Sequence, residues 1–307
     1  MRFHRLLTAW AVVSTTSNGF IANAAQPRAL VYRGPAACKG CAEAVAQLLE
    51  NSPQKFTVTY VGPNEDTNIS SDSLKGVDVY AQPGGPDLNS AWAELQDHQT
   101  ELRDFITKQG GRYLGFCLGA FLAGSTPGLG LLPEGANAVS ERKQDNAQVT
   151  NTRDTIIQID WTFRSSIGNY SKGETAVNRW VYFQDGAAIT GLSGGNSSVL
   201  GRYSQNGDVA ASLTPLGKGW VALVGAHPEA TKSWYRSYDL SNPDGLNSTT
   251  DIGYDFVTAA MGTTGTNTTS NKTSEESAAN PGGQQQGRLA LPCLLGWFAF
   301  GLAIFWL

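Results

Sequence analysis

Three short stretches of this 307-residue sequence hold residue types suited to acyl-transfer chemistry. The first is Gly115-Phe116-Cys117-Leu118-Gly119, which follows an apolar run and precedes a helix-like one. A cysteine set between glycines at a strand-to-helix turn is the thiol version of a nucleophile elbow. The glycines remove the Cβ clashes of so sharp a turn. The orphan N–H groups and dipole of the following helix favour thiolate over thiol. The same stretch would equally suit a small buried cysteine in a tight turn.

The second stretch is His227-Pro228-Glu229. A cysteine nucleophile of this kind needs a base, and the chain has 3 histidines. His4 lies at the extreme N-terminus, and His98 stands between Asp97 and Gln99 in a polar helical segment suited to the solvated surface. His227 follows the fully apolar run Trp220–Val224, and Glu229 can orient its imidazole as the third member of a triad does. A capping or loop histidine is the competing reading. The third stretch, Gln82-Pro83-Gly84-Gly85-Pro86, places two glycines after a strand. The amides of Gly84, Gly85 and Leu118 would then face a developing oxyanion, although Gly-Gly also serves ordinary turns.

These stretches need a scaffold that brings them to one edge. Residues 30–32, 56–61, 77–81 and 112–116 read as strands, and 38–50 and 88–109 as amphipathic helices. That alternation implies a mostly parallel sheet covered on both faces, with ligands at the carboxyl ends of the strands. Beyond about residue 130 the pattern turns β-rich, with strands at 155–163, 179–184, 187–191, 199–203, 209–213 and 220–226, and a turn signal at Gln205-Asn206-Gly207-Asp208. Helices at 229–238 and 252–261 close the domain.

The remainder of the sequence points outside the cell. Residues 1–24 read as a secretory signal peptide: Arg2 and Arg5, the apolar Leu6–Val13, and a small-residue cleavage site at Ala22-Asn23-Ala24. The domain proper then covers 25–261. Residues 262–288 form a Ser/Thr/Asn/Gly/Gln-rich stalk expected to be disordered, and 289–307 an apolar tail. Small residues, a polar spacer and a terminal apolar tail make a GPI-anchor signal, with Ser277 as attachment site and Ala278 or Ala279 as competitors. A tail-anchored helix is the other reading of that tail. Sequons stand at Asn68, Asn169, Asn196, Asn247, Asn267 and Asn271. These features predict a glycoprotein at the cell surface, tethered to the plasma membrane or cell wall.

Of 4 cysteines, Cys293 lies in the tail, and Cys38 and Cys41 could close a short disulfide in an oxidising compartment. A bond from either to Cys117 would instead mask the nucleophile. No second Cys/His pair completes a zinc site, so neither metal nor cofactor is expected. A net charge of -4, with no basic cluster beyond the first residues, argues against nucleic-acid binding.

The elbow, His227-Pro228-Glu229 and Pro83-Gly84-Gly85-Pro86 resemble the nucleophile, His/Glu and oxyanion motifs of the class I glutamine amidotransferase-like superfamily. Val31-Tyr32-Arg33-Gly34-Pro35, Pro83 to Leu88, Gly110 to Ala120 and Gly217-Lys218-Gly219 bring the sequence nearer to the N-terminal domain of fungal biotin–protein ligases. The resemblance spans about residues 28–240. It implies a flavodoxin-like three-layer α/β/α sandwich with a Cys117–His227–Glu229 triad. It does not imply biotin ligation, whose separate module is not found in the sequence. Two departures fall near where glutamine would lie: Phe121 replaces the usual Gln or Met, and Gly225-Ala226 the frequent Gln-Phe. Two functions follow as expectations. One is a cysteine hydrolase acting on an amide, ester or peptide bond of a small-molecule or peptide substrate. The other is a non-catalytic surface binding module with a masked or dormant cysteine.

Overall fold

The computed structural model describes residues 25–263 apart from 126, 193–196 and 247–248. The expected signal peptide, Asn196, Asn247, Asn267, Asn271, Ser277, Cys293, the stalk from residue 264 and the apolar tail lie outside the described residues.

Period-2 patterning in the strands builds the layers. In β1 (Arg28–Tyr32), Ala29 and Val31 point into one apolar core while Leu30 and Tyr32 point into another. The same division holds for β4 (Arg112–Phe116) and β11 (Gly219–Val224). Helices α1 (Cys41–Asn51) and α6 (Thr250–Met261) cover the first face. Helices α2 (Leu88–Leu95), α3 (Gln99–Thr107) and α4 (Leu118–Leu122) cover the second. The result is three layers, helix on sheet on helix. Each fully buried Leu or Phe in these cores contributes about 1.5–3 kcal/mol.

The remaining strands are β2 (Thr57–Val61), β3 (Val79–Gln82), β5 (Asn137–Ser140), β6 (Thr155–Thr162), β7 (Thr175–Phe183), β8 (Ala187–Thr190), β9 (Ser198–Tyr203) and β10 (Val209–Leu216). The sheet runs β2-β1-β3-β4-β11-β10-β9-β6-β7. Its β2-β1-β3-β4-β11 section is parallel. The β-rich second half extends it antiparallel through β10, β9, β6 and β7. A short pair, β5 with β8, joins through β10.

Two segments depart from the sequence expectation. The single helix read over 88–109 is broken by a 3₁₀ turn at Gln96–His98 into α2 and α3. Asp87 caps α2, its carboxylate accepting from the Asn89 and Ser90 amides at 3.1 Å each. The helix read from residue 229 starts later, as α5 (Lys232–Ser237), because the chain first turns Glu229 inward. Strand β5 carried too little alternation to be read from the sequence.

One buried carboxylate ties the two halves together. Asp255 of α6 is fully buried and accepts from Trp161 Nε1 at 2.9 Å. It also accepts from the Arg164 amide at 3.0 Å, the Ser165 amide at 2.8 Å and the Ser165 hydroxyl at 2.5 Å. Replacing it strands several buried donors at once. Asp255→Ala is expected to lower unfolding stability by about 3 kcal/mol, read as a fall in the urea midpoint with unchanged slope.

Candidate active site

Register decides where the chemistry lies. In the parallel pair β4–β11, Phe116 stands opposite Val224, and in β3–β4 Gln82 stands opposite Gly115. The residues that follow each strand therefore leave the sheet at one edge: Cys117 after β4, Gly225 to Glu229 after β11, Pro83 to Pro86 after β3. The Cys117 amide donates to the Val224 carbonyl at 2.8 Å, so the pairing carries on into the turn.

Cys117 is the N-cap of α4 with φ 49° and ψ -105°, a strained conformation for a residue with a Cβ. Its neighbours show why the motif needs glycine. A Cβ on Gly115 would lie 2.5 Å from the Gly119 carbonyl, and one on Gly119 would collide with the Gln82 carbonyl. The Tyr113 hydroxyl donates to that Gly119 carbonyl at 2.7 Å and fixes the turn from below.

His227 is buried, and its Nδ1 is 2.8 Å from Glu229 Oε1. That bond commits Nδ1 to the carboxylate and leaves Nε2 as the ring nitrogen available for proton transfer. The His227 amide donates to the Tyr182 carbonyl at 2.9 Å. The Tyr182 and Trp234 rings meet the imidazole edge-on, with centroids at 5.8 and 5.3 Å. Gly84 leaves room for it: a Cβ there would be 2.7 Å from His227 Cε1. Burial opposes a charged imidazole, but the charges and hydrogen bonds of Cys117 and Glu229 outweigh it, and His227 is pushed up to about 10. The competing contact is with the Gln184 carbonyl, 3.6 Å from Cys117 Sγ, which accepts from the neutral thiol and repels the thiolate.

The three oxyanion candidates gather at the same place. Gly85 lies close to Leu118, since a Cβ on it would be 2.6 Å from Leu118 Cδ2. Among the described residues, no protein acceptor takes the Gly85 or Leu118 amide. Cys38 and Cys41 are bonded to each other and line a cavity with Cys117, whose thiol is free. The masking bond considered from the sequence is thus not the one formed. Asn68 and Asn169 are exposed. His98 lies apart, lining a small cavity with Tyr32 and Glu94.

Sequence reasoning did not find Tyr182, Gln184, Asp154 or Trp234. Tyr182 carries His227 on its backbone and donates its hydroxyl to Asp154, and burial and that carboxylate push the phenol well up. Tyr182 and Gln184 come from β7 and the residue just past it, far from the elbow in sequence, and reach the site through an isolated bridge to His227 and the Gln184 carbonyl. No local signal marks them. Among the described residues, no cluster of His, Cys, Asp and Glu is arranged to hold a metal, and no helix is long and apolar enough to cross a membrane.

The Cys117→Ser protein tests the charge arrangement. Losing the Cys117 sulfur, one of the two partners that raise the imidazole, should let His227 titrate well below about 10, followed by imidazole NMR against pH. An unchanged titration would assign the shift to Glu229 alone.

Comparison with known proteins agrees with the motifs. Residues 28–143 match the family model described as biotin-protein ligase, N terminal. A biotin–protein ligase of Schizosaccharomyces pombe is 28% identical over 160 residues, covering 49% of this chain and 25% of that ligase. This chain therefore spans only about a quarter of that relative's length. Among solved structures, a GMP synthase-type protein from Thermoplasma acidophilum aligns at TM-score 0.47 and 14% identity, over 77% of this chain and 95% of that one. A glutamine amido transferase from Methylobacillus flagellatus aligns at TM-score 0.46 and 11% identity, over 76% and 93%. On its sequence motifs, the family match and the ligase of fission yeast, the chain is an α/β protein that resembles biotin–protein ligases in the segment typical of their N-terminal domain.

Proposed function

We propose that this protein is a cysteine hydrolase of the extracellular face, cleaving an amide, ester or peptide bond through Cys117, His227 and Glu229. The observation that carries this reading is the buried His227–Glu229 pair at 2.8 Å beside a thiol at a strained N-cap. A dormant scaffold has no use for a buried carboxylate whose one bonded oxygen serves an imidazole and whose other oxygen has no partner among the described residues. In the reaction, the thiolate attacks the carbonyl carbon and the Gly85 and Leu118 amides receive the oxyanion, with Gly84 keeping space for the imidazole. His227 protonates the leaving group, then takes a proton from the water that releases the acyl group. Glu229 holds the imidazole throughout.

Display outside the cell is supported by the Cys38–Cys41 disulfide and the exposed Asn68 and Asn169 sequons. The tether is a GPI lipid at Ser277. Phosphatidylinositol-specific phospholipase C should release the protein from intact cells, and protein retained after treatment would argue for a membrane-spanning tail.

The catalytic reading is tested by iodoacetamide labelling of Cys117 in the wild type and in His227→Ala. Labelling should slow at least roughly tenfold in the variant at neutral pH, as expected when a thiolate loses its imidazolium partner. Equal rates in both proteins would turn the reading toward a binding module.

A further inference from the structure

Cys117 stands between two cavities rather than at the bottom of one. A cavity of about 560 Å³ holds His227, Trp234 and Tyr238. Another of about 470 Å³ holds Leu118, Phe121, Arg142 and Lys143. Gly85, Pro86, Cys117 and Gln184 border both. A primary carboxamide releases only ammonia and needs no large space on its leaving side. Two sizeable cavities meeting at the nucleophile fit a substrate that continues in both directions from the scissile bond.

We propose, resting on the hydrolase reading, that the substrate is an internal peptide bond lying across both cavities. Catalytic geometry sets its direction. The leaving nitrogen must meet the acid, and His227 borders the first cavity but not the second. The amine half of the peptide therefore occupies the first cavity. The acyl half lies in the second, on the side of Leu118.

Side-chain preference follows from what is left unpaired. In the acyl cavity the carboxylates are already supplied with donors. Asp87 takes two amides and the Ser90 hydroxyl, at 2.6 Å. Asp185 takes the Ser140 hydroxyl at 2.6 Å and Arg142 Nε at 2.8 Å. Among the described residues, Lys143 Nζ and the terminal nitrogens of Arg142 have no partner. The free capacity there is cationic, which suits an acidic residue on the acyl side of the bond. In the leaving cavity Tyr238 is 55% exposed and sits with Trp234 around Tyr182. That aromatic shelf suits an aromatic residue just after the bond.

The step balances without a co-reactant beyond water. The S–C bond forms as the C–N bond breaks, and the His227 proton goes to the departing amine. Water then adds to the thioester, gives one proton to His227, and the C–S bond breaks to return the thiolate and a carboxylic acid.

The test uses the full-length protein with an acetylated, amidated hexapeptide library varied at the two central positions, and with L-glutamine. Products are read by mass spectrometry and ammonia release, with His227→Ala as the inactive control. Cleavage is expected at the central bond, best with Glu before it and Phe after it. Lys143→Ala should lower kcat/KM on the Glu peptide roughly five- to tenfold and leave its Gln counterpart little changed. Ammonia from L-glutamine or from the terminal amides without internal cleavage would overturn the inference and keep the hydrolase reading. An uncleaved library overturns the inference whatever the thiol labelling. Iodoacetamide labelling insensitive to His227→Ala overturns the hydrolase reading with it.

Discussion

The parallel pairing of β4 with β11 is the constraint on which the rest depends. Phe116 faces Val224 across that ladder, and the next backbone bond, from the Cys117 amide to the Val224 carbonyl, extends the ladder into the turn. A slip of one residue would turn every side chain of β11 to the opposite core and carry His227 away from the thiol. The two apolar cores prevent that slip, because Val221 and Leu223 belong to one and Ala222 and Val224 to the other. Packing of ordinary aliphatic residues thus supplies the precision that the Cys117–His227 contact requires.

Around this pairing the chain places strain and small residues where the geometry of Cys117 and His227 needs them. Gly115 and Gly119 admit the close passage of Gln82 and α4, and Gly84 yields its side-chain volume to an imidazole. Glu229 leaves one oxygen without a partner among the described residues and is turned inward where a helix would otherwise have started. Each local cost is offset by burial in a large two-sided core and by the Asp255 clamp, which fastens the antiparallel extension to α6.

The elbow, the base and the glycine loop were legible because their chemistry is local: a cysteine between glycines, a histidine after an apolar strand, two glycines after another. The three-layer arrangement was legible from period-2 strands alternating with amphipathic helices. What the sequence did not show is what β7 contributes. Tyr182 and Gln184 act through backbone carbonyls, and a carbonyl has no side-chain signature. The break at Gln96–His98 escaped notice because Leu95, Leu102, Phe105 and Ile106 keep a helical period across it. The delayed start of α5 reflects a contact between Glu229 and His227, which a propensity for helix does not register.

The separations along the chain also order events in time. Cys38 and Cys41 are 3 residues apart, and closing so short a loop needs no tertiary structure. Pairing of β4 with β11 must wait for roughly a hundred residues of intervening chain to be made and folded. Until that pairing forms, Cys117 has neither its imidazole nor its elbow. A bond closed between Cys38 and Cys41 leaves neither of them open to the Cys117 thiol. The small disulfide at the rim of the site thus leaves Cys117 as the free thiol among the described residues, and the two nearest sulfurs are closed to it.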